Sequence, residues 1–350
     1  MLQNGNSSYR MKKASLICTV YNEGDSMEEL LDSIVEQTVT PAEAVFVDGG
    51  STDGTQGVIR KYAEEHDWIH LIVEEGCNIA EGRNIAVENA ENDYIVSTDG
   101  GCVLDEKWYE EMCKAFEESE YVIGMFRYRA DNLFEKVQGE IICSAHTVEE
   151  LRKGNRGPSS RSVGFSRQAW KDAGGYPEDL YTGEDSKFNA KILSESYEPA
   201  IAENAMVYWK MRPTWKALWN QFKTYGEGDA KGGNLFTHPS QKLGVSKNLW
   251  LFTTATLTLF SGATTIASAV FKPELTVYNA VILLGLLTIP KLYYLDTLKK
   301  LLKEEGVKAL LIGFEIAQLK YWAWYAGFTL TLLKKPSLIP YQFREAVRLG

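Results

Sequence analysis

The stretch Ile95 to Asp105 reads I-V-S-T-D-G-G-C-V-L-D. An apolar run, Tyr94 to Val96, leads to a lone carboxylate, Asp99, and two glycines follow at once, Gly100 and Gly101. An apolar run closed by Asp-Gly-Gly reads as a buried strand breaking into a tight turn. Asp99 would then stand at a strand's carboxyl end, where open α/β sheets place their ligand crevice. The glycines remove side-chain bulk, so a large anionic ligand can approach the backbone. A carboxylate there can hold a divalent metal, and the metal a diphosphate. The alternative is an ordinary turn aspartate.

Three more polar stretches follow short apolar runs in the same way. Tyr21-Asn22-Glu23 comes after Ala14 to Val20, and D-G-G-S-T-D-G-T, Asp48 to Thr55, comes after Ala44 to Val47. Glu184-Asp185 follows Y-T-G at the start of a helical pattern. A carboxylate within hydrogen-bond reach of an acceptor hydroxyl can take its proton as the hydroxyl attacks. Asp185 is the candidate, with a helix N-cap as its structural alternative. Ser51 and Asp53 are expected to shape their turn. His146 and His238 stand alone in the sequence, and no catalytic role is expected of them.

The elements that must hold these groups alternate. Ala14 to Val20, Ala44 to Val47, Trp68 to Val73 and Tyr94 to Thr98 read as strands. Helical spacing separates them, starting with a capping box at Ser26 and Glu29 ahead of Met27, Leu30, Leu31 and Ile34. Ala80 to Ala90 and Trp108 to Phe116 also read as helices. Strand alternating with helix argues for a mostly parallel sheet flanked by helices on both faces. Tyr121 to Phe126 and Ser162 to Ser166 are further expected strands, while 131 to 158 carries no clear pattern.

T-V-Y-N-E from Thr19, the D-G-G-S-T-D-G-T turn, strand-terminal Asp99 and the late G-E-D occur in a set order. Together they resemble the inverting family 2 glycosyltransferases of GT-A fold, over residues 14 to 210. The resemblance implies a Rossmann-like α/β domain using a nucleotide-diphospho-sugar donor. It implies that Asp48 receives the nucleotide base and that Thr19, Tyr21 and Glu23 line the nucleoside. Arg83 and Asn84 would lie near base and ribose, with Gly100 in the substrate cradle. Asp99 would be the first Asp of the family's D-x-D and the metal ligand. Glu184 and Asp185 would be the catalytic pair, with Asp185 as base. There are two departures: D-D-G-S is here D-G-G-S, and D-x-D is here D-G-G, so Gly101 offers no second carboxylate. Metal binding, Mg²⁺ or Mn²⁺, would rest on Asp99, the diphosphate and water, which Mg²⁺ tolerates because it keeps several waters.

Composition bounds the partners. The 350 residues hold 37 basic and 47 acidic side chains, net charge −10, which argues against a nucleic-acid partner. Five cysteines without a C-x-x-C pair argue for reduced thiols and against structural zinc. Arg10, Lys12 and Lys13 precede an apolar run too brief for a signal-peptide core, so the catalytic part is expected to stay cytoplasmic.

The mean hydropathy of −0.23 hides an uneven distribution. Trp215, Leu218, Trp219 and Phe222 fall on one helical face, either a membrane-interface helix or one packed on the main domain. Leu249 to Phe271 and Leu275 to Leu295 read as two membrane spans joined by Lys272-Pro273-Glu274. Lys299, Lys300, Lys303 and Lys308 then fit the cytoplasmic side. Ala309 to Leu333 is apolar but contains Glu315, Gln318 and Lys320. It reads as a third span or an interfacial helix carrying Trp322 and Trp324, and a third crossing would put Lys334, Lys335, Arg344 and Arg348 outside. The expected organisation is a tail at 1–13, a GT-A domain at 14–207, an amphipathic connector at 208–248, a membrane region at 249–333 and a tail at 334–350. A multi-pass protein of the cell membrane with these parts would act on a lipid-linked acceptor, a polyprenyl- or dolichyl-borne saccharide or a lipid phosphate. The rivals are a polysaccharide synthase, though no Q-x-x-R-W motif is present, and an inactive membrane scaffold, favoured by Gly101. A nucleotidyltransferase would need a Gly-rich loop after the first strand, and Y-N-E-G-D does not provide one.

Overall fold

The structure is a computed structural model and describes residues 11–24, 26–143, 146–153, 157–233 and 247–339. His238, Arg10, Arg344 and Arg348 lie outside the described residues. The chain divides into two compact units. The first comprises 1–127, 157–179 and 184–209, and the second comprises 128–156, 180–183 and 210–350. The first therefore ends two residues beyond the expected 207, and the second takes in two segments that the sequence placed inside the GT-A domain.

The first unit is built on β1 (Ala14–Val20), α1 (Ser26–Val35), β2 (Glu43–Asp48), α2 (Thr55–Glu65), β3 (Ile69–Val73), α3 (Ile79–Asn89) and β4 (Tyr94–Asp99). These four strands pair in parallel, β3-β2-β1-β4. β1 and β2 are buried along almost their whole length, as strands covered by helices on both faces must be. A buried carboxylate in such a strand needs partners. Glu43 has them, accepting from the Ser15 hydroxyl and, at 2.5 Å, from the Glu91 backbone N–H.

Beyond β4 the sheet turns antiparallel, with β7 (Val163–Ser166) against β4 and β6 (Tyr121–Arg129) against β7. It ends with β8 (Ala200–Lys210) and the short β5 (Cys102–Leu104), also antiparallel to each other. The expected sheet, mostly parallel, is thus parallel in one half only. α4 (Trp108–Ala115), α7 (Arg167–Asp172) and α8 (Glu184–Ser194) complete the unit. The reciprocal capping box forms at Asn78 and Glu81, ahead of α3. Ser26 instead turns its hydroxyl back to the Glu23 carbonyl, 2.6 Å away. Register does the positioning: Thr19 pairs with Asp99, and Val20 with Asp48. Three strand ends therefore deliver their polar residues to one edge.

The second unit is helical: α5 (Leu133–Cys143), α6 (Val148–Arg152), α9 (Trp215–Gly232), α10 (Lys247–Phe271), α11 (Thr276–Leu292), α12 (Leu295–Glu305) and α13 (Val307–Lys334). Leu218 and Phe222 of α9 are buried in a cluster with Val137, Ile141, Leu298 and Ile316. The amphipathic stripe of α9 is thus spent on protein packing. α9 and α13 approach closely because glycines face each backbone. A Cβ on Gly226 would fall 2.0 Å from the Trp324 carbonyl oxygen, and one on Gly327 1.9 Å from that of Lys223. The third apolar segment is this packed helix, with Ile316, Tyr321, Trp324 and Phe328 buried.

α10 and α11 form a hairpin through a 3₁₀ turn at Pro273–Leu275. Of the described residues, Asn248–Phe271 is long and apolar enough to cross a membrane. α11 has 17 residues and falls short of that length. One helix therefore meets the criterion, where the sequence had implied two or three.

Candidate active site

Asp48 ends β2 fully buried. Its Oδ1 accepts from the Gly50 N–H at 2.9 Å, the Ser51 N–H at 2.7 Å and the Gln56 side-chain amide at 2.8 Å. Its Oδ2 is buried and has no hydrogen-bond partner among the described residues. A buried polar oxygen left so is costly, and a ligand N–H would relieve it.

The turn around Asp48 is clasped to the end of β1. The Asn22 N–H donates to Ser51 Oγ at 2.8 Å, and the Thr52 N–H to Asn22 Oδ1 at 2.9 Å. Thr55 donates its hydroxyl to Asp53 at 2.6 Å and accepts from the N–H groups of Glu23 and Gly24. Ser51 and Asp53 are turn residues, as their types imply. Tyr21 is 56% exposed beside this clasp.

Next along the edge stands Asp99, and the structure joins it to Glu184 through Arg83. The guanidinium, 2% exposed, donates Nη2 to Asp99 Oδ1 and Nη1 to Glu184 Oε1, both at 2.6 Å. Two charge-assisted bonds to a buried fork fix both carboxylates in direction as well as in place. Glu184 heads α8, where burial pushes its carboxyl up to about 7; the neighbouring Asp185 charge adds to the shift and Arg83 opposes it. Asp185, half-buried, accepts from the Ser186 N–H at 2.7 Å. Arg161 approaches Asp99 Oδ2 at 3.9 Å, and its guanidinium lies 3.9 Å over the Trp209 ring.

Thr19 sits against α3 at Gly82, where a Cβ would fall 2.4 Å from Thr19 Cγ2. Gly100 faces the Glu23 carboxyl. Burial and the nearby Asp99 charge push the Cys18 and Cys102 thiols up, Cys102 to about 12. These cysteines are inert filling beneath the edge.

Thr19, Glu23, Asp48, Arg83, Asp99, Gly100, Glu184 and Asp185 all belong to the first unit. Arg83 meets carboxylates, where the resemblance implied base and ribose. Asn84 uses its whole amide in the fold. It accepts from Trp170 Nε1 and the Tyr176 N–H, and donates to the Tyr176 carbonyl and to Glu178. That loop is its partner. Arg161 and Trp209 escaped notice because neither sits in a motif. No group of three or more His, Cys, Asp or Glu suited to a metal occurs among the described residues.

Residues 15–171 match the family described as Glycosyl transferase family 2. The chain carries a family 2 glycosyltransferase domain. The match ends before Glu184 and Asp185, so their role rests on geometry. The chain is 24% identical over 222 residues to Glycosyltransferase AglE of Haloferax volcanii, covering 61% of this chain and 72% of that protein. It is 23% identical over 222 residues to poly-beta-1,6-N-acetyl-D-glucosamine synthase of Staphylococcus epidermidis, covering 61% of this chain and 54% of that one. In structure it resembles mannosyltransferase PcManGT of Pyrobaculum calidifontis, solved with GDP-Man and Mn²⁺. The TM-score is 0.53 at 17% identity, with 93% of this chain and 89% of that one covered. This likeness places the fold among GT-A enzymes.

Proposed function

We propose that this enzyme is held at a membrane by its helical unit and transfers one sugar, with inversion, from a nucleotide-diphospho-sugar to a lipid-linked acceptor. The acceptor is a polyprenyl- or dolichyl-borne saccharide or a lipid phosphate, and the catalytic unit faces the cytoplasm. The observation that carries the reading is the Asp99–Arg83–Glu184 bridge, with Asp185 beside it. It joins the end of β4 to the start of α8, so the leaving-group side and the base side of a transfer meet.

Each residue has a task. Asp48 Oδ2 accepts an N–H from the nucleotide base, a need its buried and unpartnered state supports. Thr19 and Tyr21 line the nucleoside. Arg83 holds Asp99 and Glu184 in fixed orientation. Asp185 takes the proton of an attacking hydroxyl. A lipid phosphate acceptor is already ionised and would need Asp185 less.

The residues present fit one divalent cation, Mg²⁺ or Mn²⁺. Asp99 keeps Oδ2 outside its Arg83 bond, and the two glycines beside it leave room that the Glu23 carboxyl takes up. With the donor's diphosphate, Asp99 would hold the ion, which supplies charge compensation to the leaving diphosphate. The membrane side of the reading is supported by α10 and by the lysines of α12, Lys299, Lys300 and Lys303, which fit a cytoplasmic face.

Membranes containing the protein, given labelled nucleotide-sugars with and without EDTA, test the reading. One donor should label a lipid-extractable product, and EDTA should stop the labelling. Failure of every donor would remove the proposal.

A further inference from the structure

The turn after Asp99 lacks the carboxylate that an Asp at position 101 would bring. Another strand returns one to the same place. A Cβ on Gly100 would lie 2.5 Å from Glu23 Cδ and 2.6 Å from Glu23 Oε1. A Cβ on Gly101 would lie 3.5 Å from Glu23 Oε2. The Glu23 carboxyl therefore occupies the space over the Asp99–Gly100–Gly101 turn, and it can do so because position 100 has no side chain.

Its placement is held by Thr55 and Ser26. The Glu23 N–H donates to Thr55 Oγ1 at 3.0 Å. The Ser26 hydroxyl is 2.6 Å from the Glu23 carbonyl and 3.3 Å from Oε2. Thr19, on the same strand end, is in register with Asp99. Arg83 takes up Asp99 Oδ1 and Arg161 stands 3.9 Å from Oδ2, so one oxygen of Asp99 is already committed before any ion arrives and the other is shared with a cation. A single remaining oxygen is a poor anchor, and one further carboxylate corrects that.

We propose that Glu23 is the second carboxylate of the divalent-cation site, supplied from the end of β1 in place of the one missing at Gly101. Mg²⁺ and similar ions use one or two carboxylates with phosphate oxygens and water, which is the donor set that Glu23, Asp99 and a diphosphate provide. Glu23 is then a metal ligand and not a nucleoside contact, and Gly100 is the residue that admits it. The inference rests on the nucleotide-sugar reading of the site.

The test is Mn²⁺ binding, followed by the EPR signal of the free ion, on the purified full chain with UDP and GDP in turn. Nucleotide affinity is measured separately in EDTA. Glu23→Gln should weaken Mn²⁺ binding about tenfold or more, with nucleotide affinity in EDTA unchanged. Gly100→Ala, whose methyl would push the Glu23 carboxyl aside, should weaken Mn²⁺ binding in the same direction. Adding Gly101→Asp to Glu23→Gln should restore it, since Asp tolerates the left-handed backbone at φ +69° better than most residues.

Unchanged Mn²⁺ binding in Glu23→Gln overturns the proposal and leaves the nucleotide-sugar reading standing. So does an equal loss of nucleotide affinity in EDTA, which makes Glu23 a nucleoside contact. Absence of Mn²⁺ binding by the unmodified protein with either nucleotide overturns the metal-dependent reading beneath it, and the proposal as well.

Discussion

At the scale of residues, the site is a set of charges that stabilise one another only in company. Arg83 is the common partner of Asp99 and Glu184 and is almost fully buried. Arg83→Met would leave the Asp99 and Glu184 carboxyls without their shared buried cation, at a cost of about 3–5 kcal/mol. Urea unfolding of the variant should read that loss, and Arg83→Lys should recover only part of it, because an ammonium cannot span both acids as a planar fork does. Asp185→Asn keeps the shape and removes the proposed base. Transfer to a hydroxyl acceptor should fall by about 10²–10⁴-fold, and transfer to a lipid phosphate by much less. Full activity of this variant on a lipid-linked saccharide would take Asp185 out of its role.

Glu184 also makes a statement about pH. Its carboxyl is pushed from 4.5 in the free residue to about 7 by burial, with Asp185 adding. The folded protein therefore holds this proton more tightly than the unfolded chain. The stability linked to it is fully present below pH 4.5 and is lost as pH rises to about 7. Glu184→Gln cannot titrate. The stability of the parent relative to this variant should fall as pH is raised across that window, as read by thermal unfolding in a pH series. A difference that stayed flat would mean that Arg83 holds Glu184 ionised throughout.

At the scale of elements, the sequence was most legible where one physical rule acted alone. β1 to β4 are apolar runs closed by Asn, Asp or Gly, and each formed close to its expected bounds. The register that puts Thr19, Asp48 and Asp99 on one edge follows from parallel pairing of those strands. What was not legible had competing signals. β5 is three residues long, too short for any period to show. β8 carries an exposed Glu203-Asn204 pair that breaks its alternation, and the eye stops at Val207. α5 buries Glu135, Gln138 and Glu140, so its inward face does not look apolar. Gln138 is satisfied from afar, exchanging two hydrogen bonds with the Arg212 backbone, and Glu135 locally, by the Asp131 N–H and the Asn132 amide. Arg83 was legible as a site residue but not in its task, because its partner Glu184 lies 101 positions away.

The packing of α9 on α13 gives this scale its prediction. Gly327 faces the backbone carbonyl of Lys223, which cannot rotate aside as a side chain could. Gly327→Ala should force the helices apart and cost about 1–3 kcal/mol or more. Thermal unfolding in detergent should show a lower midpoint. Gly285→Ala, at a position where a Cβ meets nothing within 4 Å, is the control and should leave the midpoint unchanged or raise it.

At the scale of the whole molecule, the question is what covers the apolar surface of α10 and α11. Phe260 and Ile266 are 68% and 71% exposed, in a helix whose apolar length would reach about 36 Å. A bilayer core is about 30 Å thick, so α10 can cross it, and the 17 residues of α11, about 26 Å long, stand at the lower end of the length that returns a chain across it. If lipid is the cover, the protein should remain in the membrane pellet after an alkaline carbonate wash. Phe260→Asp with Ile266→Asp should then release it or block its insertion, since each charge near mid-bilayer costs roughly 2.5–3.5 kcal/mol. Phe260→Ala with Ile266→Ala should remain in the pellet, because the helix stays uncharged. Catalysis gives a second reading. A lipid-borne acceptor needs the membrane and a water-soluble one does not, so the Asp pair should abolish lipid labelling while donor hydrolysis continues. Release of the unmodified protein by carbonate would mean that another protein covers this face, and the lipid-linked acceptor would lose its main support.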